Sequence, residues 1–293
     1  MLIKKLSIVG VGLIGGSLAR ALRAQGEVGE VVGCGRGKAN LEKAVELGVI
    51  DSYTHDVAEA VQGADMVFLA VPLGAMRDTF AAMQGHLMPG ATITDGGSSK
   101  GSVVEDCRSV FGHDLPELVP GHPIAGTENS GVEASFPELY QNRRVILTPT
   151  EATSSEALQR VSKMWELCGS DVTVMSVEHH DEVLAATSHL PHMLAFALVD
   201  SLARMKENDE IFRYAAGGFR DFTRIASSSP VMWRDICIAN REALGTIMDS
   251  YIKDMHELAE TVAKGDGERL LEIFERAKAS RDKYVDGILD SPE

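Results

Sequence analysis

The stretch LSIVGVGLIGGSLARAL, residues 6–22, decides how the chain is read. Leu6, Ile8 and Val9 make a short apolar run of the kind a buried parallel strand shows. It leads directly into Gly10, Gly12 and Gly15, spaced as GxGxxG, and then into Leu18, Ala19 and Leu22 at helical spacing. In a strand-turn-helix unit the first glycine allows the tight turn, the second lets a pyrophosphate approach the backbone, and the third lets helix and strand pack closely. The phosphates then meet the free amides of the helix N-terminus, where Leu13 and Ile14 stand. A lone GxGxxG is a weak motif, but a strand before it and a helix after it make dinucleotide binding the better reading. Two lysines ahead of an apolar run also imitate a secretory signal. Four glycines interrupt that run and a helix from Ser17 to Arg23 follows, which argues against one.

Working outward, the second strand is expected at Glu30 to Gly33, and the residue about 20 beyond the last glycine reports on the adenosine ribose. That count reaches Gly35, flanked by Cys34 and Arg36. An acid there would accept the 2'-hydroxyl and repel a 2'-phosphate; its absence beside Arg36 leans towards NADP over NAD. Arg36 could equally stack on adenine or lie in solvent. Alternation continues through a helix near Asn40 to Leu47, a strand Met66 to Ala70, a helix near Met76 to His86 and a strand Thr92 to Thr94. The strands end in Val71-Pro72-Leu73 and in Asp95-Gly96-Gly97-Ser98-Ser99-Lys100, at the edge where doubly wound sheets bind ligands, so these loops should border the nicotinamide. A strand Leu118 to Pro120 delivers GHPIAGTENSG, residues 121–131, to the same edge. Val145 to Leu147 and Val172 to Met175 are expected to complete the sheet around a helix at Ser155 to Leu167.

From Val177 the pattern turns helical. Leu184, Thr187, Leu190, Leu194, Leu198 and Leu202 recur every three or four residues. A second long helix begins at Pro230, capped by Ser229, with a stripe Ile236, Ala243, Ile247, Tyr251, Leu258 and Val262. A final helix, Glu268 to Leu289, follows Gly265-Asp266-Gly267. The fold class is therefore α/β: a Rossmann-type, doubly wound, mostly parallel sheet over 1–175, then an all-α domain over 176–293. So much apolar helix in so small a domain suggests burial against a second copy, a homodimer.

Composition narrows the partners. With 43 acids against 28 Lys and Arg, the formal net charge of -15 disfavours nucleic acid and anionic membrane. Cys34, Cys107, Cys168 and Cys237 form no CxxC pair, so neither a disulfide framework nor a cysteine metal site is suggested, which fits a reducing cytosol. No segment reads as the roughly 20 apolar residues of a membrane span.

Three polar clusters are candidate sites. His122, between a glycine and a proline, either faces a ligand or serves the loop's own structure. In Ser188-His189-Leu190-Pro191-His192, Ser188 and His192 share a helix face while His189 points about 100° away, and Pro191 should kink the helix. Histidines at this spacing can bind zinc, yet no third ligand stands at a recognisable distance, so no metal is expected. A satisfied buried histidine and a substrate contact remain. In Gly217-Gly218-Phe219-Arg220-Asp221-Phe222-Thr223-Arg224, Asp221 and Arg224 are spaced i and i+3, and an arginine fork suits a carboxylate. A surface ion pair is the alternative.

Taken together, GVGLIGGS, TDGGSSKG, GHPIAGTENSG, SHLPH and GGFRDFTRIA resemble the prephenate and arogenate dehydrogenases (cyclohexadienyl dehydrogenases) of tyrosine biosynthesis, in order from about residue 6 to beyond Trp233. The resemblance implies NAD(P)-dependent oxidative decarboxylation of prephenate to 4-hydroxyphenylpyruvate, or of arogenate to tyrosine. By it His122 matches the histidine that hydrogen-bonds the ring 4-hydroxyl, and Ser98 the serine assisting it. Arg224 matches the arginine that grips a substrate carboxylate, with Asp221 and Glu128 as acidic neighbours. Thr127, Ser188 and His192 correspond to polar substrate contacts, and Gly217 and Trp233 to residues approaching from the other subunit. A neutral His122 near the reference histidine pKa of about 6.5 suits proton acceptance. Two other readings compete. A hydroxyacid dehydrogenase of similar architecture would need a catalytic lysine, and the helix from Val177 has none before Lys206. A non-catalytic redox sensor would need neither the Ser and His pair nor the arginine.

Overall fold

The computed structural model describes residues 1–283 apart from Glu128 and Glu207, and apart from the side chain of Asn208. Six strands, β1 (Ile3–Val9), β2 (Val28–Cys34), β3 (Ser52–Thr54), β4 (Met66–Leu69), β5 (Thr92–Asp95) and β6 (Leu118–Val119), pair in parallel in the order β3-β2-β1-β4-β5-β6. They are joined by α1 (Leu13–Ala24), α2 (Lys38–Glu46), α3 (Val57–Val61), α4 (Met76–Met83) and α5 (Gly101–Phe111). The strand order reverses between β1 and β4, and ligands of such sheets bind at that switch point.

β4 shows why the strands read as continuous apolar runs. Met66 and Phe68 face one core with Leu6, Ile8, Leu18 and Trp165; Val67 and Leu69 face the other with Val9, Phe80 and Ile93. Each such side chain contributes about 1.5–3 kcal/mol by leaving water. Phe68 meets Trp165 edge-on at 5.8 Å, so Phe68→Ala would cost about 3–5 kcal/mol.

The later strands do not complete this sheet. β7 (Gly121–Pro123), β8 (Arg144–Leu147) and β9 (Asp171–Val174), with α6 (Ser155–Leu167), form a separate sheet in which β7 and β8 are antiparallel and β8 and β9 parallel. Two local facts end the first sheet. Pro120 has no amide to give a ladder, and the Gly121 amide goes to the Asp95 carboxylate at 3.0 Å instead of to a strand.

From Ser176, whose hydroxyl accepts the His179 amide at 3.1 Å, the chain is helical. α7 (Val177–Leu184) passes through one π turn, Ala185–His189, into α8 (Leu190–Ala203). The widened turn sits where Pro191 withdraws its amide, as π-bulges do near functional residues. The whole run Val177–Ala203 passes the length and apolarity test for a membrane span, contrary to the expectation, although a soluble core helix passes the same test. α9 (Asn208–Arg213) and α10 (Gly217–Thr223) follow.

The expected long helix from Pro230 is two helices, α11 (Pro230–Ala239) and α12 (Arg241–Lys264). Ser229 caps the first as expected. The break falls at Asn240, whose buried amide reaches the Asp181 carbonyl at 2.8 Å and His189 Nδ1 at 3.0 Å. α13 (Gly267–Arg281) is capped by Asp266, and residues 284–289 of the expected last helix lie outside the described residues. Two compact units result, Met1–Leu244 and Gly245 onwards. In the second, Arg269 bonds Glu257 at 2.7 Å and Glu272 at 2.8 Å.

Candidate active site

The glycine turn is built as its spacing predicts. Gly10 has φ +104°, and a Cβ there would meet the Ala70 carbonyl oxygen at 2.3 Å. A Cβ on Gly15 would strike the Gly10 carbonyl oxygen at 2.4 Å, so β1 and α1 could not approach as they do. Gly12 opens onto free space, and no side chain caps α1, leaving its first amides available. A cleft of about 640 Å³ opens there, lined by Gly10, Gly12, Arg36, His55, Val71 and Pro72 among others. This cradle fits a dinucleotide pyrophosphate. Leu13 and Ile14 begin the helix beneath it, and Ile14's carbonyl accepts the Tyr140 hydroxyl at 2.6 Å. Arg36 is exposed at the end of β2. Beside it, the Gly35 carbonyl meets His55 Nδ1 at 2.7 Å, a contact across 20 residues that no local pattern marks.

The Asp95–Lys100 loop connects this cradle to the base. Gly96 abuts Ile14, since a Cβ on it would come within 3.2 Å of Ile14 Cγ2. Asp95 and Lys100 are both fully buried and paired with each other. His122, one residue past the Gly121 they hold, is 8 % exposed, and its Nδ1 lies 2.8 Å from His180 Nε2. His180 Nδ1 in turn lies 2.8 Å from Asp181 Oδ1.

Protons on this chain can be assigned from valence. A carboxylate only accepts, so His180 Nδ1 carries hydrogen and its Nε2 accepts; His122 Nδ1 must then donate. The free lone pair of His122 is on Nε2. Burial opposes charge on Asp181, yet bonds from His180 and from the Lys100 and Gly101 amides outweigh it and hold the carboxyl below its usual range. His122 is held well below the ordinary histidine value of 6.5, first by burial, then by His180 and Lys100. The imidazole is therefore neutral as expected, but a weaker base than an exposed histidine, because its ring is out of water.

Ser98 is half-buried in the same loop, and its neighbour Ser99 donates to Asp181 at 3.1 Å. Ser188 and His192 are stacked in sequence as read: His192 Nδ1 lies 2.9 Å from the Ser188 carbonyl. His189 turns the other way, is buried against Asn240, and is lowered to about 4 by burial. His192 is lowered by burial too, with the nearby Arg224 guanidinium adding to the effect. Trp233 stacks on His192 of its own chain, with ring centroids 3.6 Å apart and planes at 19°. Thr127 is exposed and accepts the Asn129 amide at 3.2 Å; Gly217 and Asp221 are exposed on α10. Glu128 lies outside the described residues.

His180, Asp181, Lys100 and Asn240 went unrecognised in the sequence. One signal was present for the pair: His180 and Asp181 fall three and four residues after Val177 and before Leu184, on the apolar face of α7, where a charged residue needs a partner.

A glycine cradle at the switch point of a parallel sheet, joined by one loop to a buried neutral base, is the layout of a nicotinamide-dependent oxidoreductase. The chain belongs to the prephenate dehydrogenase family: residues 18–174 match its nucleotide-binding domain and residues 176–276 its dimerization domain. It is 40% identical over 280 residues to a cyclohexadienyl dehydrogenase of Zymomonas mobilis, covering 95% of each chain. It is 35% identical to a prephenate dehydrogenase of Bacillus subtilis, covering 94% of this chain and 74% of that one. Among solved structures, prephenate dehydrogenase from A. aeolicus in complex with hydroxyphenyl propionate and NAD+ superposes with a TM-score of 0.88 at 40% identity, over 96% of this chain and 98% of that one. Synechocystis arogenate dehydrogenase superposes with a TM-score of 0.80 at 30% identity, over 96% and 99%.

Proposed function

We propose that this chain carries out the NAD(P)-dependent oxidative decarboxylation of prephenate to 4-hydroxyphenylpyruvate, of arogenate to tyrosine, or of both. The observation that carries the reading is His122, buried and neutral, with a donor at Nδ1 and a free lone pair at Nε2.

The nicotinamide, when bound, supplies the acceptor for hydride from C4 of the substrate. His122 Nε2 takes the 4-hydroxyl proton as that hydride departs, and its Nδ1–H tightens on His180, backed by the Asp181 carboxylate. The new C4 carbonyl draws the electrons of the C1–carboxylate bond into the ring as carbon dioxide leaves. The ring becomes aromatic, and His122 returns the proton to the phenolate oxygen. No net proton is released, so a weak base suffices: it lends its site for one step. Arg224 holds a side-chain or ring carboxylate; Ser188, His192, Trp233 and Thr127 line the substrate side, and Ser98 assists the hydroxyl. Asp221 and Gly217 complete that wall.

Arg36 at the ribose end, with no acid at Gly35, supports NADP at least as well as NAD. A homodimer through the helical half is supported by the dimerization-domain match and by exposed apolar side chains, among them Ile238 at 62% and Val231 at 55%. Sedimentation equilibrium should give twice the chain mass. The reading divides the chain at Ser176 and places the enzyme in the cytosol.

The direct test mixes the protein with prephenate and either cofactor and follows 340 nm absorbance. A rise with prephenate is expected, and repeating with arogenate decides the substrate. No rise with either substrate would overturn the reading.

A further inference from the structure

The motif TDGGSSKG holds a device that the proton-accepting role of His122 does not by itself require. Lys100 and Asp95 are each 0% exposed. Lys100 Nζ bonds the Asp95 carboxylate and also donates to the Gly121 carbonyl at 2.7 Å. Asp95 Oδ1 accepts the Gly121 amide at 3.0 Å, and Oδ2 accepts the Gly97 amide at 2.7 Å. Both backbone groups of the residue before His122 are thus held by one ion pair. The Lys100 backbone amide in turn donates to Asp181 at 2.9 Å, the carboxylate behind His180.

A buried pair of this kind is a poor choice for stability alone, because taking two charges out of water costs about as much as their attraction returns. A precise grip is what it adds. We propose that Asp95 and Lys100 are positioning residues for the base: they fix His122 at the cleft edge through Gly121, and the ammonium is a fixed cation close to its ring. The proposal rests on His122 being the base.

The titratable groups around His122 are His180 from α7, His189 from the π turn, and Lys100 with Asp95 from the loop, while Asp181 stands behind His180. Burial opposes a positive charge on the imidazole most strongly, then His180, then the Lys100 ammonium, which burial itself disfavours and the Asp95 carboxylate sustains. Removing the ammonium should make His122 easier to protonate, and the acid limb of kcat/KM, which reports the free enzyme, should then move to higher pH.

The experiment uses the full chain with prephenate and NAD or NADP. Lys100→Met removes both charge and donor, and kcat should fall about 100-fold, the scale of a base misplaced by about 1 Å. Lys100→Gln keeps a donor for the Gly121 carbonyl, and kcat should fall only about tenfold. Both should move the acid limb up by about one pH unit while cofactor affinity, measured by fluorescence titration, stays within about twofold. A merely structural lysine would lower activity with the limb in place, so an unmoved limb in either folded variant overturns the proposal, as does wild-type kcat in Lys100→Met. Gly121→Ala decides the matter if both charge variants misfold. It keeps both charges and presses a Cβ to 3.0 Å from the Asp95 carbonyl oxygen. Its kcat should fall about tenfold with the limb unmoved, and wild-type kcat would refute the grip. If His122→Asn itself retained turnover, the base assignment would fail, which is a different result from any of these.

Discussion

Residues 10–15 of the glycine turn offer backbone amides and carry no titratable side chain, whereas around His122 the protein buries Asp95, Lys100, His180, Asp181 and His189. Both ends manage charge, but by different means. The cradle uses fixed dipoles whose strength does not change with pH and whose geometry depends on the absence of Cβ atoms at Gly10 and Gly15. The base end uses ionisable groups, of which Asp95 with Lys100 and His122 with His180 and Asp181 are bonded to one another, so its geometry and its protonation are one problem. Errors at the first end should therefore act on binding and packing, and errors at the second on turnover and on pH response.

The largest expected effect is at the base. His122→Asn should lower kcat by about 10²–10⁴-fold with the cofactor dissociation constant unchanged, and turnover near wild type would break the contrast. Next comes the cradle: Gly10→Ala forces a Cβ into the Ala70 carbonyl at φ +104°. It should cost several kcal/mol of stability, roughly the strain and overpacking range combined, and abolish measurable cofactor binding in titration calorimetry.

pH separates the ends directly. His189 is held at about 4 against 6.5, so between these values the unfolded chain binds a proton that the folded chain refuses. Its contribution to stability is complete above pH 6.5 and is lost as pH falls towards 4, on the order of 3 kcal/mol in all. His122, His180 and His192 shift in the same direction. Urea midpoints should decline across that window, and a flat profile would show these histidines to be solvated. Arg224→Ala should raise the substrate KM by about 10–100-fold, the value of one charged hydrogen bond, with kcat less affected. The smallest change is expected at Arg36, exposed at the rim, where Arg36→Ala should lower the NADP-to-NAD ratio of kcat/KM by about tenfold. An unchanged ratio would remove it from the ribose site.

The same contrast explains what could be read in advance. Gly10, Gly12 and Gly15 are legible because their meaning is local: turn, phosphate approach and helix packing all lie within one strand-turn-helix. Five strands of the first sheet are legible as short apolar runs, β3 is not, and the Ser229 cap and the opposed faces of Ser188 with His192 and of His189 follow from helix start signals and the period of 3.6. His122 with His180 is a contact over 58 residues, and Lys100 with Asp181 one over 81. No period in the sequence announces such pairs. The split of the expected long helix at Asn240 failed to show for a similar reason: asparagine breaks the helix there because its amide is claimed by Asp181 and His189, far away in the chain. The second sheet was missed because the Gly121 amide is satisfied by a side chain rather than by a strand.

Asn240 also sets an order of events. When synthesis has reached Met175, both sheets and the glycine turn have all their strands, so the cradle can form while the rest is still being made. His122 must wait for His180 and Asp181, and the Asn240 amide that braces Asp181 and His189 arrives more than sixty residues after the last strand. Contacts so far apart in sequence close late. The cradle's residues are thus all present before the groups that brace the base, and the base's full set of partners comes only with nearly the whole first unit.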